Sequence, residues 1–161
     1  VGEICNYNLN NVKFRLPKDF EWQIASRCNY NWGADGCSEL WDYPSPLKNL
    51  EPTSCDYINC CVNCDMDCVV RKVDYYKNSY TPFGLFGTSG NLQEWVKNIN
   101  GPSDGIGLEK VMGGYFYISI SNQVSSQSAK YIQTGTVVPS FGFRTVFDSS
   151  DLQSWKECVE N

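Results

Sequence analysis

The residues with the most reactive side chains in this chain are its cysteines. Nine of them stand at positions 5, 28, 37, 55, 60, 61, 64, 68 and 158, and five of the nine fall between 55 and 68. Cysteine attacks substrates as a thiolate, ligates metals, or pairs as a disulfide. A Ser-His-Asp or Cys-His nucleophile system needs an imidazole base, and the chain contains no histidine. The same absence removes the usual ligand of catalytic zinc and non-haem iron. Those chemistries are set aside unless a second chain supplies the residue. Two structural roles are left open for the cluster. Cys61-x2-Cys64 with Cys60, Cys68 or Cys55 has the spacing of a tetrahedral zinc site, although a second Cys-x2-Cys is missing. Alternatively the cysteines staple the surrounding proline-rich stretch as disulfides, which an oxidising compartment favours. At least one bridge among Cys55, Cys60, Cys61, Cys64 and Cys68 is expected. The odd count leaves at least one thiol free or bridging two chains.

A second constellation is Tyr115-Phe116-Tyr117-Ile118-Ser119-Ile120-Ser121-Asn122. It mixes aromatic, β-branched and small polar residues without charge. Ile118 and Ile120 alternate with Ser119 and Ser121, which fits one half-buried strand. The composition also fits a paratope, where Tyr gives contact area at low entropy cost and Ser and Asn adapt their hydrogen bonds. A strand can serve both ends by presenting one face. The longer stretch 115–141 has no Cys, Asp, Glu or His, and Lys130 is its only charge. Lys130 and Tyr115, Tyr117 or Tyr131 could titrate, but none has an activating partner in the sequence, so no general base is expected.

These segments need a scaffold. A chain of 161 residues fits one domain with a real core. Its net charge of −5, with Lys and Arg scattered, argues against nucleic acid. No run of about 18 apolar residues exists, so no membrane insertion is expected. The N-terminus lacks the basic start and apolar stretch of a signal peptide. Pro17 suits a helix start, with Asp19 and Glu21 favourable in the first turn. Phe20, Ile24 and Cys28 recur at helical spacing, which predicts a helix over about 18–27 with those residues on its buried face. Pro44, Pro46 and Pro52 mark 43–82 as an irregular, cysteine-rich insertion. Val69, Val73, Tyr75 and Tyr76 could form a short strand after it. Val111–Met112 and Phe143–Val146 read as sheet strands, and Trp22, Trp32, Trp95 and Phe143 as core. Asp148 to Val159 carries Leu152, Trp155 and Val159 at helical spacing, which predicts a short C-terminal helix.

Four blocks occur in a recognisable order: Phe14-Arg-Leu-Pro-x3-Glu21-Trp22-x2-Ala25-x-Arg27, Tyr30-x-Trp32-Gly33, Phe83-Gly84-Leu85-x3-Ser89-Gly90-Asn91-x2-Glu94-Trp95, and Val111-x-Gly113-Gly114 followed by Gly142-Phe143-Arg144. Together they resemble the core of the formylglycine-generating-enzyme family. The resemblance implies an α+β, C-type lectin fold over residues 1–161, with a small twisted antiparallel sheet. The family's reactive cysteines lie between the Gly-Gly and Gly-Phe-Arg blocks, where this chain has none. The related sulfoxide synthases use His ligands, also missing here. The resemblance further implies a calcium ion near Glu94 and the backbone of Gly90 and Leu92. Gly87 stands where a side-chain oxygen is usual, so no metal is expected. The Glu-Pro-Asn signature of calcium-dependent lectins is missing too.

The chain also resembles the variable proteins of diversity-generating retroelements, which place adenine-mutagenised codons between the same two blocks. A mutated Asn codon reaches every residue type found at 115–122. Gln123, Gln127, Lys130 and Gln133 are not reachable, which makes them fixed scaffold. The insertion and the short N-terminal part depart from bacterial members of that group and suit an archaeal one. The resemblance implies a ligand-binding role for Tyr115, Phe116, Tyr117, Ile118, Ser119, Ile120, Ser121, Asn122, Tyr131, Thr134, Thr136, Val137 and Ser140. It implies no catalytic residue and no cofactor. The expected partner is a protein or cell-surface ligand, met outside the cell or on its surface. The alternative is a divergent enzyme of the formylglycine-generating or sulfoxide-synthase type.

Overall fold

The computed structural model describes residues 14–30, 37–44, 46–48, 57–61, 68–98, 108–117, 125–126, 128–133 and 135–147. Its first element is helix α1, Asp19–Arg27. Lys18 is the extended N-cap, and Glu21 reaches back to accept its backbone N–H at 2.7 Å. Glu21 also accepts both Nη atoms of Arg15, at 2.7 and 2.9 Å. Those charge-assisted bonds from Arg15 hold the Glu21 carboxyl down to about 2, with the Lys18 N–H adding to the effect against partial burial. The buried face of α1 is Asp19, Trp22 and Ser26. Phe20 and Ile24, expected inside, are exposed, and only Cys28 of that trio is buried. Two polar contacts set the helix rotation. The Trp22 indole N–H donates to Glu94 Oε2 at 2.7 Å, and Lys110 Nζ donates to Asp19 Oδ2 at 2.9 Å. A buried polar group without a partner is costly, so these two contacts outrank the apolar periodicity.

The helix runs straight into strand β1, Cys28–Tyr30, which pairs antiparallel with β2, Cys37–Leu40. A register shift falls at Asn29/Tyr30, and a Cys28–Cys37 disulfide ties the two strands. The main sheet holds β3 (Gln93–Val96), β4 (Leu108–Met112), β5 (Ala129–Gln133) and β6 (Phe141–Gly142) in the order β5-β4-β3-β6. β3, β4 and β5 are antiparallel, whereas β6 joins β3 in parallel, so the sheet is mixed rather than wholly antiparallel. Trp22, Val96 and Met112 form the core between helix and sheet. Trp95 is half-buried and meets the Phe141 ring edge-on at 4.9 Å.

The last strand departs from expectation. It ends at Gly142, and Phe143–Val146 lies outside the sheet, with Val146 making a lone antiparallel bridge to Arg15. Phe143 is 69% exposed and is not a core residue. Extended chain sends neighbouring side chains to opposite sides. Arg144 is drawn inward to Glu94, and Phe143 therefore turns out. Trp32 and the helix expected over 148–159 lie outside the described residues. The strand expected around Val69 to Tyr76 is replaced by irregular chain, a turn and a bend. In the cysteine-rich segment Tyr43, Ile58 and Cys60 form a second small core, and Cys61 is disulfide-bonded to Cys68. No helix among the described residues is long and apolar enough to cross a membrane.

Candidate functional site

The stretch 115–141 is fixed at its ends by backbone and motif residues. At the entry, Gly113 has φ +92 and packs so closely on Thr88 and Trp22 that a Cβ would fall 2.7 Å from the Thr88 carbonyl oxygen. Only glycine combines that backbone with that approach. The Gly113 carbonyl accepts Gly90 N–H at 2.7 Å, and Phe116 N–H donates to the Asn91 carbonyl at 3.0 Å. At the exit, Gln93 N–H donates to the Ser140 carbonyl at 2.9 Å before β6 pairs with β3. Arg144 then grips both carboxylate oxygens of Glu94 and donates to the Phe86 carbonyl at 3.1 Å.

In the middle of the stretch, Ser125 and Ser126 are fully buried. Ser126 N–H and Ser125 Oγ donate to the Asp42 carbonyl at 2.8 and 3.1 Å, and the Ser126 and Ser89 hydroxyls meet at 2.7 Å. These two serines, which the sequence offered no reason to single out, tie the stretch to the rest of the fold. Lys130 and Gln133, expected as fixed scaffold, are exposed on edge strand β5. Gln123 and Gln127 lie outside the described residues.

The residues expected to contact ligand fall into three groups. Tyr117 is 69% exposed, Tyr131 46% and Val137 92%, and Thr136 is also exposed. Val137 and Thr136 follow Gly135, whose φ of +85 makes the turn after β5. Tyr115, Phe116 and Ser140 are half-buried. Tyr115 packs against the Tyr43, Ile58 and Cys60 cluster, with Lys130 Nζ 5.6 Å from its ring centre. The cysteine-rich segment thus covers this residue of the implied ligand-binding set. Ile118, Ser119, Ile120, Ser121, Asn122 and Thr134 lie outside the described residues. Lys110 Nζ stands 5.9 Å from the Tyr131 ring centre, which steadies that side chain at the sheet edge.

The residues around Glu94 do not fit calcium. Its two oxygens already accept N–H groups from Arg144 and Trp22, and Gly87 brings no side-chain oxygen. Calcium takes six to eight oxygens, whereas here a guanidinium occupies the carboxylate. The Cys61–Cys68 bridge likewise removes two sulfurs from the zinc set. Among the described residues no group of three His, Cys, Asp or Glu side chains could hold a metal.

Comparison with known proteins agrees with this architecture. Two solved structures share the fold. CarF superposes with a TM-score of 0.56 at 21% identity, over 82% of this chain and 46% of that one. Variable protein 1 of Treponema denticola superposes with a TM-score of 0.56 at 19% identity, over 86% of this chain and 49% of that one. This chain thus spans about half the length of each. Among curated proteins, no sequence match is found. The fold is the α+β C-type lectin fold that the four sequence blocks implied. The family model of the sulfatase-modifying factor enzyme 1-like domain matches residues 2–149, and the chain belongs to that family.

Proposed function

We propose that this chain is a ligand-binding protein that displays a diversified surface over 115–141, on a single C-type lectin domain with an insertion at 43–82. In this reading it is a variable protein of a diversity-generating retroelement and catalyses no reaction. The observation that carries the proposal is the division of labour along 115–141. Motif glycines, backbone hydrogen bonds and two buried serines hold the stretch, while Tyr117, Tyr131, Thr136 and Val137 stand in solvent. A segment open to substitution must not hold the core, because core changes cost several kcal/mol (about 2–5) against a total stability of about 5–15 kcal/mol. The fold shared with a Treponema denticola variable protein supports the same reading. An enzyme of the formylglycine-generating type needs reactive side chains between the Gly-Gly and Gly-Phe-Arg blocks, and 115–141 contains no Cys, Asp, Glu or His.

The partner is a protein or cell-surface ligand, met through an aromatic and hydroxyl-rich face of the kind that binds proteins at low entropy cost. The Cys28–Cys37 and Cys61–Cys68 disulfides support an extracellular or cell-surface location. Sequencing the surrounding locus tests the proposal. A reverse-transcriptase gene and a near-copy of the 115–144 coding segment, differing at adenines alone, are expected. Sister copies whose differences scatter over the whole chain, with no template copy, would refute it.

A further inference from the structure

A cleft of about 300 Å³ opens between the cysteine-rich segment and the chain end that follows β6. That volume sits at the lower end of small-molecule sites, which run from about 300 to 1,000 Å³. Val70 and Val73 form one wall, Leu92 and Phe143 the other, and Arg71 and Arg144 bring charge. Val70, Val73 and Phe143 are exposed although apolar. They line a concave surface rather than standing singly.

The two guanidiniums differ. Arg144 is engaged by Glu94 and by the Phe86 carbonyl. Arg71 is half-buried, and no acidic group among the described residues pairs with its side chain. Its guanidinium lies 5.2 Å from the Tyr75 ring centre. Its N–H donors form a planar fork that matches a carboxylate. The Arg71 backbone is held at both ends by one side chain: its N–H donates to Asn91 Oδ1 at 2.9 Å, and its carbonyl accepts Asn91 Nδ2 at 3.2 Å. Asn59 Nδ2 donates in turn to Asn91 Oδ1 at 2.8 Å and to the Val69 carbonyl at 2.9 Å. The wall carrying Arg71 is therefore fixed to the core by the same Asn91 that receives the start of the 115–141 stretch.

We propose that this cleft binds a small monoanionic carboxylate with an apolar body, the carboxylate taken by Arg71 and the body lying between Val70, Val73 and Phe143. A single charge is favoured over a phosphate because Glu94 and Arg144 neutralise each other in the same cleft, which leaves Arg71 as the one cation there without an acidic partner among the described residues. The shared chemistry is found in a free aryl or alkyl acid and in a polypeptide C-terminus ending in an apolar residue. Every residue named for this site lies outside 115–141, so the proposal holds whether or not that stretch varies.

Calorimetric titration of the full chain tests it. The probes are 3-phenylpropionate, its uncharged amide, phenyl phosphate, and Gly-Gly-Phe with a free or an amidated C-terminus. 3-Phenylpropionate is expected to bind with one-to-one stoichiometry, and the amide about ten-fold weaker or more, as befits loss of a charged hydrogen-bond partner. R71Q is expected to weaken the acid by about the same factor and leave the amide unchanged. Its melting temperature should hold, because Arg71 meets the core through its backbone. F143A should weaken acid and amide alike. Binding of free Gly-Gly-Phe as tightly as the small acid assigns a chain terminus, and binding of the small acid alone assigns a metabolite. No binding by any carboxylate, equal binding of acid and amide, tighter binding of phenyl phosphate, or an R71Q variant with unchanged affinity for the acid each overturns the proposal.

Discussion

Glu94 accepts N–H groups from Trp22 and Arg144 in a site almost closed to water. Removing the cation from such a pair leaves a buried charge uncompensated, at a cost of about 3–5 kcal/mol. R144A should therefore lower the urea midpoint by an amount corresponding to that loss, measured on the full chain at neutral pH. Calcium or EDTA should leave the melting temperature where it is, since a ligand that does not bind contributes nothing to stability. Glu21 gives a pH-dependent test. Its folded pKa is depressed from 4.5 to about 2 by the Arg15 hydrogen bonds. The group is thus stabilising above its unfolded pKa, and that contribution fades as pH falls from about 4.5 towards 2. E21Q should flatten the acid limb of a stability-against-pH curve in that window; an unchanged limb contradicts the assignment. Both glutamates stand in blocks visible in the sequence. The grip of Arg144 on Glu94, fifty positions away, is not, because nothing local to either residue encodes the other.

At the scale of elements, α1 was legible in its ends and not in its rotation. Pro17, the acidic first turn and the basic last turn mark Asp19–Arg27. Apolar spacing points to Phe20 and Ile24 as the buried face, whereas Asp19 and Trp22 are buried, since that spacing carries no information about Asp19 finding Lys110 or Trp22 finding Glu94. The final strand shows the same limit: Gly142 packs on Leu92 so closely that a Cβ would fall 3.0 Å from Leu92 Cδ1, and only the assembled sheet reveals that contact. The Cys61–Cys68 bridge closes a short loop, seven positions apart. Chain-entropy arguments give about 2.5 kcal/mol for a loop of that size. The C61S/C68S double variant should lose about that much stability, read by denaturant unfolding without reductant. Peptide mapping under non-reducing conditions should recover the Cys61–Cys68 and Cys28–Cys37 pairs.

For the whole molecule, the sharpest contrast lies between side chains that are held and side chains that are not. Replacing Tyr117, Tyr131, Thr136 and Val137 together by Ala should leave the melting temperature nearly unchanged, since exposed positions of this kind contribute within about 0.5 kcal/mol each. S126A, a smaller change by volume, should cost about 1–3 kcal/mol by leaving the buried Ser89 hydroxyl without its partner. Thermal unfolding of the two variants side by side checks both, and equal losses would contradict the division between scaffold and displayed face. The sequence by itself determined the class of chain: cysteine-rich and without histidine, with a nearly uncharged stretch between two glycine motifs. Those are properties of residue type and order, and they survive any arrangement in space. Only the tertiary structure decided which residues of that stretch face water, because serine and tyrosine suit surface and interior alike until their partners are fixed. It also decided that Asn91 clamps Arg71 and that a guanidinium, not a metal ion, neutralises Glu94, since each contact joins segments whose separation along the chain no periodicity spans.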